Sequence, residues 1–175
     1  MKFPASLAQR HFHSPLGPIV LVASDQALVG AWFDDQAHLP RELEGQSTWH
    51  NAPEHPVLRH ASRQLKEYFD GQRRQFELAL DLSYGTAFQQ AVWQALLKIP
   101  FSHTCCYADV ACAIANPKAV RAVGAAVGRN PLSIIVPCHR VLGADGTLTG
   151  YAGGLERKTF LLHLESGQSP QGNLI

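Results

Sequence analysis

Between Tyr107 and Pro131 the chain reads YADVACAIANPKAVRAVGAAVGRNP, two stretches of helical composition separated by little more than Asn116 and Pro117. Asn followed by Pro suits a cap and a first helical position, so the sequence predicts a helix over 107–115 and a second that restarts almost at once. Two short helices joined so tightly have few packing solutions, and a helix-turn-helix is the natural one. At about 100° per residue, Val120, Val123 and Val127 fall on one side of the second helix, and Lys118, Arg121, Ala122 and Ala125 on the other. The first face suits a core. The second is cationic and nearly without bulk: it could approach phosphates and a groove floor, or be a solvated face of good helix formers.

Charge distribution bears on that choice. The net charge is only +1, but residues 1–82 hold eight Lys/Arg against ten Asp/Glu, and residues 83–175 hold seven against four. Lys118, Arg121, Arg129 and Arg140 lie between positions 117 and 140 with no acid among them. Any polyanion is expected on the second half.

The first half has a different texture. PIVLVAS and LVGAWF are β-branched and aromatic runs set off by the turn-forming SPLGP and SDQA, which predicts an antiparallel meander. Residues 34–55 are polar and breaker-rich, a surface loop. Pro56 suits a first helical position, Leu58, Ala61, Leu65, Tyr68 and Phe69 recur at helical spacing, and Gly71 stops the run. FELALDL, residues 76–82, is expected to be one more strand. No chemical constellation stands out in this half. After it, Thr86 can cap a helix whose buried stripe is Phe88, Val92, Ala95, Leu96 and Ile99, with Pro100 beyond its end. The expectation is an α+β protein with a domain over 1–82, a second over 83–167 and a flexible tail over 168–175.

Four cysteines, Cys105, Cys106, Cys112 and Cys138, share no C-x-x-C spacing and do not make a disulfide framework, and no metal is expected. With no apolar run of membrane-spanning length and no secretory leader, the chain is expected to be cytoplasmic, with no membrane contact. The fourth cysteine stands in IIVPCHRV, after a β-branched run, LSIIV, that predicts a buried strand. A cysteine there can be inert packing. Yet His139 and Arg140 follow it, and nearby positive charge or a hydrogen-bonded histidine lowers a thiol below its free value of about 8.5, favouring the thiolate. Neighbouring side chains of an extended segment point apart, so a bridging water is the easier link from His139 to Cys138. Downstream, in GYAGGLERKTFLLHLE, a glycine-rich loop precedes a helix with Lys158, Leu161, Leu162 and Glu165 on one stripe. Charged groups on an inward stripe call for partners unless they only rim the core. Glu165 orienting His139 would make a Cys/His/Glu relay and leave Lys158 for a substrate or the chain.

Together IIVPCHRV, YADVACAIANPKAVRAVG and GYAGGLERKTFLLHLE closely resemble the O6-alkylguanine-DNA alkyltransferases, also called methylated-DNA-protein-cysteine methyltransferases, over about residues 83–166. The resemblance implies a ribonuclease H-like first domain and a winged-helix-like second one. It implies single-turnover repair: the helix-turn-helix docks in the minor groove of double-stranded DNA, the damaged nucleotide is flipped out, and the cysteine takes the alkyl group from O6-alkylguanine, and from O4-alkylthymine. By that resemblance Cys138 is the acceptor, His139 the base acting through water, Glu165 its orienting carboxylate, and Tyr107 and Lys158 the groups that help guanine leave. Arg121 fills the vacated stack, with Lys118, Ala119, Ala122, Gly124, Ala125, Arg129 and Asn130 along the DNA contact. Asn130 also braces the active-site turn, and the base pocket is walled by Tyr107, Asn130, Val136, Pro137, Tyr151, Ala152 and Gly153 within and around the loop Gly150–Gly154. No cofactor is implied, a monomer suffices, and the protein would associate with the nucleoid when bound to DNA. Cys106 stands where Ser or Thr would cap the helix at Tyr107 better. The alternatives are a non-catalytic lesion sensor of the same fold, which the presence of Cys138 disfavours, and a cysteine hydrolase, which leaves the cationic helix face unexplained.

Overall fold

The computed structural model describes residues 1–43 and 49–167; the expected tail over 168–175 lies outside them. Strands β1 (Ala8–Ser14), β2 (Gly17–Ala23) and β3 (Leu28–Phe33) form the antiparallel meander. Both faces of the sheet are covered. Ile19, Leu21, Ala31 and Phe33 join one apolar cluster, while Val20, Val22 and Trp32 join another with Phe3 and Trp49. Within the stretch expected to be a loop, β4 (His50–Asn51) adds parallel to β1. Helix α1 (Pro56–Phe69) opens on its proline and buries Leu58, Ala61, Leu65 and Tyr68.

The strand expected over FELALDL does not form. Residues 76–82 meet β3 through a single bridge, Leu28 to Leu80. The reason is competition for one edge: further along β3, Ala31 N donates to Pro131 O at 2.8 Å and Ser133 N to Ala31 O at 2.9 Å. The second half of the chain occupies the rest of the β3 edge.

Helix α2 (Ala87–Leu96) begins with a reciprocal cap, Gln89 N donating to Thr86 Oγ1 at 3.2 Å and Thr86 N to Gln89 Oε1 at 2.9 Å. Such a cap stabilises by about 1 kcal/mol. Its buried side is Val92, Trp93 and Leu96, and the Trp93 indole donates to Ala126 O at 2.9 Å, fixing α2 against the helix that follows the turn.

Helices α3 (Tyr107–Ala113) and α4 (Val120–Gly128) make the helix-turn-helix, with corrected boundaries. Asn116 and Pro117 do not open α4. Ala115, at φ +55°, breaks the chain out of α3, and α4 starts at Val120 with Ala119 as its cap residue. Val120, expected in the core, is therefore at the helix tip and 37% exposed, while Val123, Ala126 and Val127 are buried. The weak cap at Cys106 is offset by Asp109, whose carboxylate accepts from Cys106 N at 2.7 Å. Strands β5 (Cys105–Cys106) and β6 (Val141–Leu142) pair in parallel, and α5 (Leu155–Ser166) closes the fold. One apolar cluster runs from Ala8 and Ile19 through Leu65 and Trp93 to Val136 and Leu161, so both halves share a core. No helix among the described residues is long and apolar enough to cross a membrane.

Candidate active site

LSIIV is a tight turn, not a strand. Only Leu132 bridges to the sheet, opposite Ala31; Ile134 reverses the chain at φ +73°, and Cys138–Arg140 then form one short 3-10 turn. A β-branched residue at positive φ is strained, by about 1–3 kcal/mol, so its surroundings must hold it. Asn130 does much of this. Its side-chain oxygen accepts from Leu132 N at 3.0 Å, and its Nδ2 donates to Val136 O at 2.8 Å and to Cys138 Sγ at 3.0 Å. Ser133 Oγ adds a bond to Gln36 Oε1 of the first half at 2.9 Å.

Behind the thiol stands a carboxylate crowded with donors. Glu165 Oε1 accepts from His139 Nε2, Arg140 Nη2 and Tyr68 OH, each at 2.8 Å. Its Oε2 accepts from Arg140 Nε at 2.9 Å and Ser102 N at 3.1 Å. Burial acts to raise the Glu165 carboxyl, but the hydrogen bonds and charge of His139 and Arg140 outweigh it and hold the group at about 2. Glu165 is thus an anion that can only accept, so His139 carries its proton on Nε2. The other ring nitrogen, Nδ1, is buried and has no hydrogen-bond partner among the described residues. Burial also lowers the His139 pKa, which leaves a neutral imidazole with a free lone pair.

The thiol departs from expectation. Cys138 is 4% exposed, and burial pushes it up to about 11 despite the opposing Asn130 hydrogen bond and Lys158 charge. At neutral pH the sulfur is a protonated thiol, so any attack by it would need a base to take its proton. Burial thus outweighs the positive surroundings expected to favour a thiolate, and Arg140 itself bonds to Glu165 and to Ile99 O, the latter at 2.6 Å.

Lys158 is fully buried and donates to Val141 O at 2.6 Å and Thr149 O at 2.7 Å; burial lowers its pKa. Tyr107 bonds weakly to Thr149 O and Gly150 O, at 3.3 and 3.4 Å. Tyr151 projects a buried hydroxyl with no partner among the described residues, and burial raises its pKa well above the ordinary value. Val136, Pro137 and Gly153 are buried, and Ala152 is half-buried with its carbonyl accepting from Ala37 N at 2.9 Å. Arg157 pins the same loop: it donates to Gly153 O and Leu16 O, both at 2.9 Å, and pairs with Asp35 at 2.7 Å while lying over the Phe33 ring.

The structure thus gathers Cys138, His139, Glu165, Asn130 and Lys158, with Tyr107 and Tyr151 alongside. Lys118, Arg121, Ala122, Ala125 and Arg129 lie apart, exposed, and the three cations make no hydrogen bond or ion pair among the described residues. Ala119 and Gly124 are half-buried on the same helix and its cap. Gly124 joins the two regions, since a Cβ built there would lie 3.9 Å from the Tyr107 ring. The sequence reading overlooked Arg140 and Ser102 as Glu165 donors, and Tyr68, whose first-half position hid its partner; a hydroxyl on an otherwise apolar helix stripe was the available signal.

Fold and site define a thiol-centred transferase built on a helix-turn-helix. Residues 87–167 match the family model "6-O-methylguanine DNA methyltransferase, DNA binding domain", and residues 8–82 match "6-O-methylguanine DNA methyltransferase, ribonuclease-like domain". A methylated-DNA–protein-cysteine methyltransferase of Haemophilus influenzae is 42% identical over 91% of this chain and 87% of its own length, and one of Methanosarcina acetivorans 47% over 88% and 95%. The crystal structure of the Mycobacterium tuberculosis OGT in complex with DNA superposes with a TM-score of 0.83 at 43% identity, covering 94% of this chain and 96% of that one. The chain belongs to the O6-methylguanine-DNA methyltransferase family.

Proposed function

We propose that the protein repairs double-stranded DNA by moving the alkyl group of O6-alkylguanine, and of O4-alkylthymine, irreversibly onto Cys138. The observation that carries this assignment of residues is the neutral His139, locked by Glu165 through Nε2 with a buried, unpartnered Nδ1, one residue along the chain from a buried thiol. The thiol proton passes to Nδ1 through a water, the sulfur attacks the alkyl carbon, an S–C bond forms and the C–O6 bond breaks. The electron pair of that bond returns to the guanine, which takes up one proton with Tyr107 and Lys158 as the nearby donors. The proton left on His139 balances it. A thioether has no hydrolytic exit, so each molecule acts once, and it acts as a monomer on the nucleoid in the cytoplasm.

The exposed face of α4, with Arg121 beside Ala122 and Ala125 and the unpaired Lys118 and Arg129 just beyond its two ends, supports minor-groove docking, and Arg121 supports filling the stack left by the flipped nucleotide. Arg121→Ala is expected to slow transfer from duplex at least tenfold more than transfer from the free modified base, measured as single-turnover rates. Equal slowing removes the stacking role. The reaction itself is tested by incubating the protein with a duplex carrying one O6-methylguanine and measuring intact mass and peptide masses. One methyl per molecule on the Cys138 peptide is expected; binding without any mass gain would favour a lesion sensor.

A further inference from the structure

Tyr68 sits on α1 in the first half, 97 residues from the carboxylate it touches. It is 1% exposed, and burial raises its phenol far above the ordinary value, so it remains a hydrogen donor at every working pH. Its hydroxyl shares Glu165 Oε1 with His139 Nε2 and Arg140 Nη2, all at 2.8 Å. A carboxylate oxygen offers about two lone pairs, so three donors compete for it. Two of them are tied elsewhere as well: Arg140 also holds Glu165 Oε2 and Ile99 O, and His139 is fixed in the short turn after Cys138. Arg140 is the charged donor of the set, and the tyrosine hydroxyl and the His139 Nε2–H are two neutral donors drawing on one oxygen.

We propose that Tyr68 is a positioning residue for alkyl transfer: by drawing on Glu165 Oε1 it weakens the carboxylate's hold on His139 and keeps that imidazole unprotonated, ready to receive the thiol proton. This rests on the reading of His139 as the base. The groups that set the balance come from every element packed around the pair. They are Glu165 and Lys158 from α5, Arg140 and Cys138 from the short turn, Tyr151 from the glycine-rich loop and Tyr68 from α1. Burial and the two cations disfavour imidazolium, and Glu165 favours it. Removing the Tyr68 hydroxyl leaves more of the anion for His139 Nε2–H, which raises the basicity of the ring.

The test is Tyr68→Phe in the full chain, with single-turnover transfer from an O6-methylguanine duplex followed between about pH 5.5 and 9. The acid limb of the profile is expected to move alkaline by roughly half a unit, so that transfer is about threefold slower on that limb and equal on the plateau. Replacing Tyr68 with 3-fluorotyrosine, a stronger donor of nearly the same shape, should move the limb the other way. A merely structural hydroxyl would scale the whole profile by one factor, and limbs unmoved in both variants overturn the proposal. His139→Gln in the same series separates the two readings: if it keeps the acid limb, His139 is not the base, whatever Tyr68 does.

Discussion

Glu165→Ala should slow transfer at neutral pH by about a hundredfold or more and cost roughly 3–5 kcal/mol of stability. The stability loss follows from what the substitution strands. Arg140 is 7% exposed and would keep its charge with no anion to pair it, left to Ile99 O and the Phe101 ring, while Tyr68 OH and Ser102 N would lose their acceptor. The rate loss follows from His139, whose Nε2 would have nothing to fix the tautomer that leaves Nδ1 free. Glu165→Gln keeps the volume and one acceptor oxygen but not the charge, and should fall between the two. Urea unfolding gives the first quantity and single-turnover kinetics on folded protein the second; a Glu165→Ala protein within 1 kcal/mol of wild type would mean that the carboxylate is not what neutralises Arg140. The same carboxylate gives a pH signature. Its pKa is depressed from the ordinary 4.5 to about 2, so the stability it contributes is complete above 4.5 and drains away as the pH falls toward about 2. Glu165→Gln should flatten stability across that window.

Cys138→Ala should gain no alkyl group from an O6-methylguanine duplex, while wild type gains one per molecule. Binding to the duplex should stay within about threefold, because α4 and the exposed cations on and beside it are untouched. The fold should survive: Asn130 Nδ2 keeps Val136 O at 2.8 Å after losing the sulfur, and Cys-to-Ala truncation leaves a void smaller than a methylene-rich side chain would, for about 1–2 kcal/mol. Intact mass after incubation decides it. A methylated Cys138→Ala protein would move the acceptor to another residue, and Cys105, Cys106 and Cys112 would be the first to map.

Local signals carried much of the fold. Thr86 marked the start of α2, Pro56 marked α1, and the β-branched and aromatic runs set off by SPLGP and SDQA marked the meander, because caps and turns act over three or four residues. The inward stripe of α5 was legible for the same reason, as Lys158, Leu161 and Glu165 are all buried. Failures came where a distant partner decided. LSIIV has the composition of a strand, and nothing within it announces that Ile134 is forced to φ +73° by Asn130 and by the β3 edge. FELALDL lost its strand to that same edge. Asn116-Pro117 looked like a helix start, but Ala115 at positive φ sends the chain through a turn first. The thiol's state depended on how deeply the fold buries Cys138, which its neighbours in sequence do not reveal.

The crowded β3 edge has a consequence for anyone dividing the molecule. A gene fragment ending near residue 82 would encode a sheet whose Ala31 amide and carbonyl have lost Pro131 and Ser133, leaving a flat, apolar strand rim open to pairing with other chains. The remaining piece would carry the reactive cysteine on a turn with no sheet to lean on. Neither fragment is expected to work alone, and transplanting the repair chemistry onto another carrier should require bringing the meander with it.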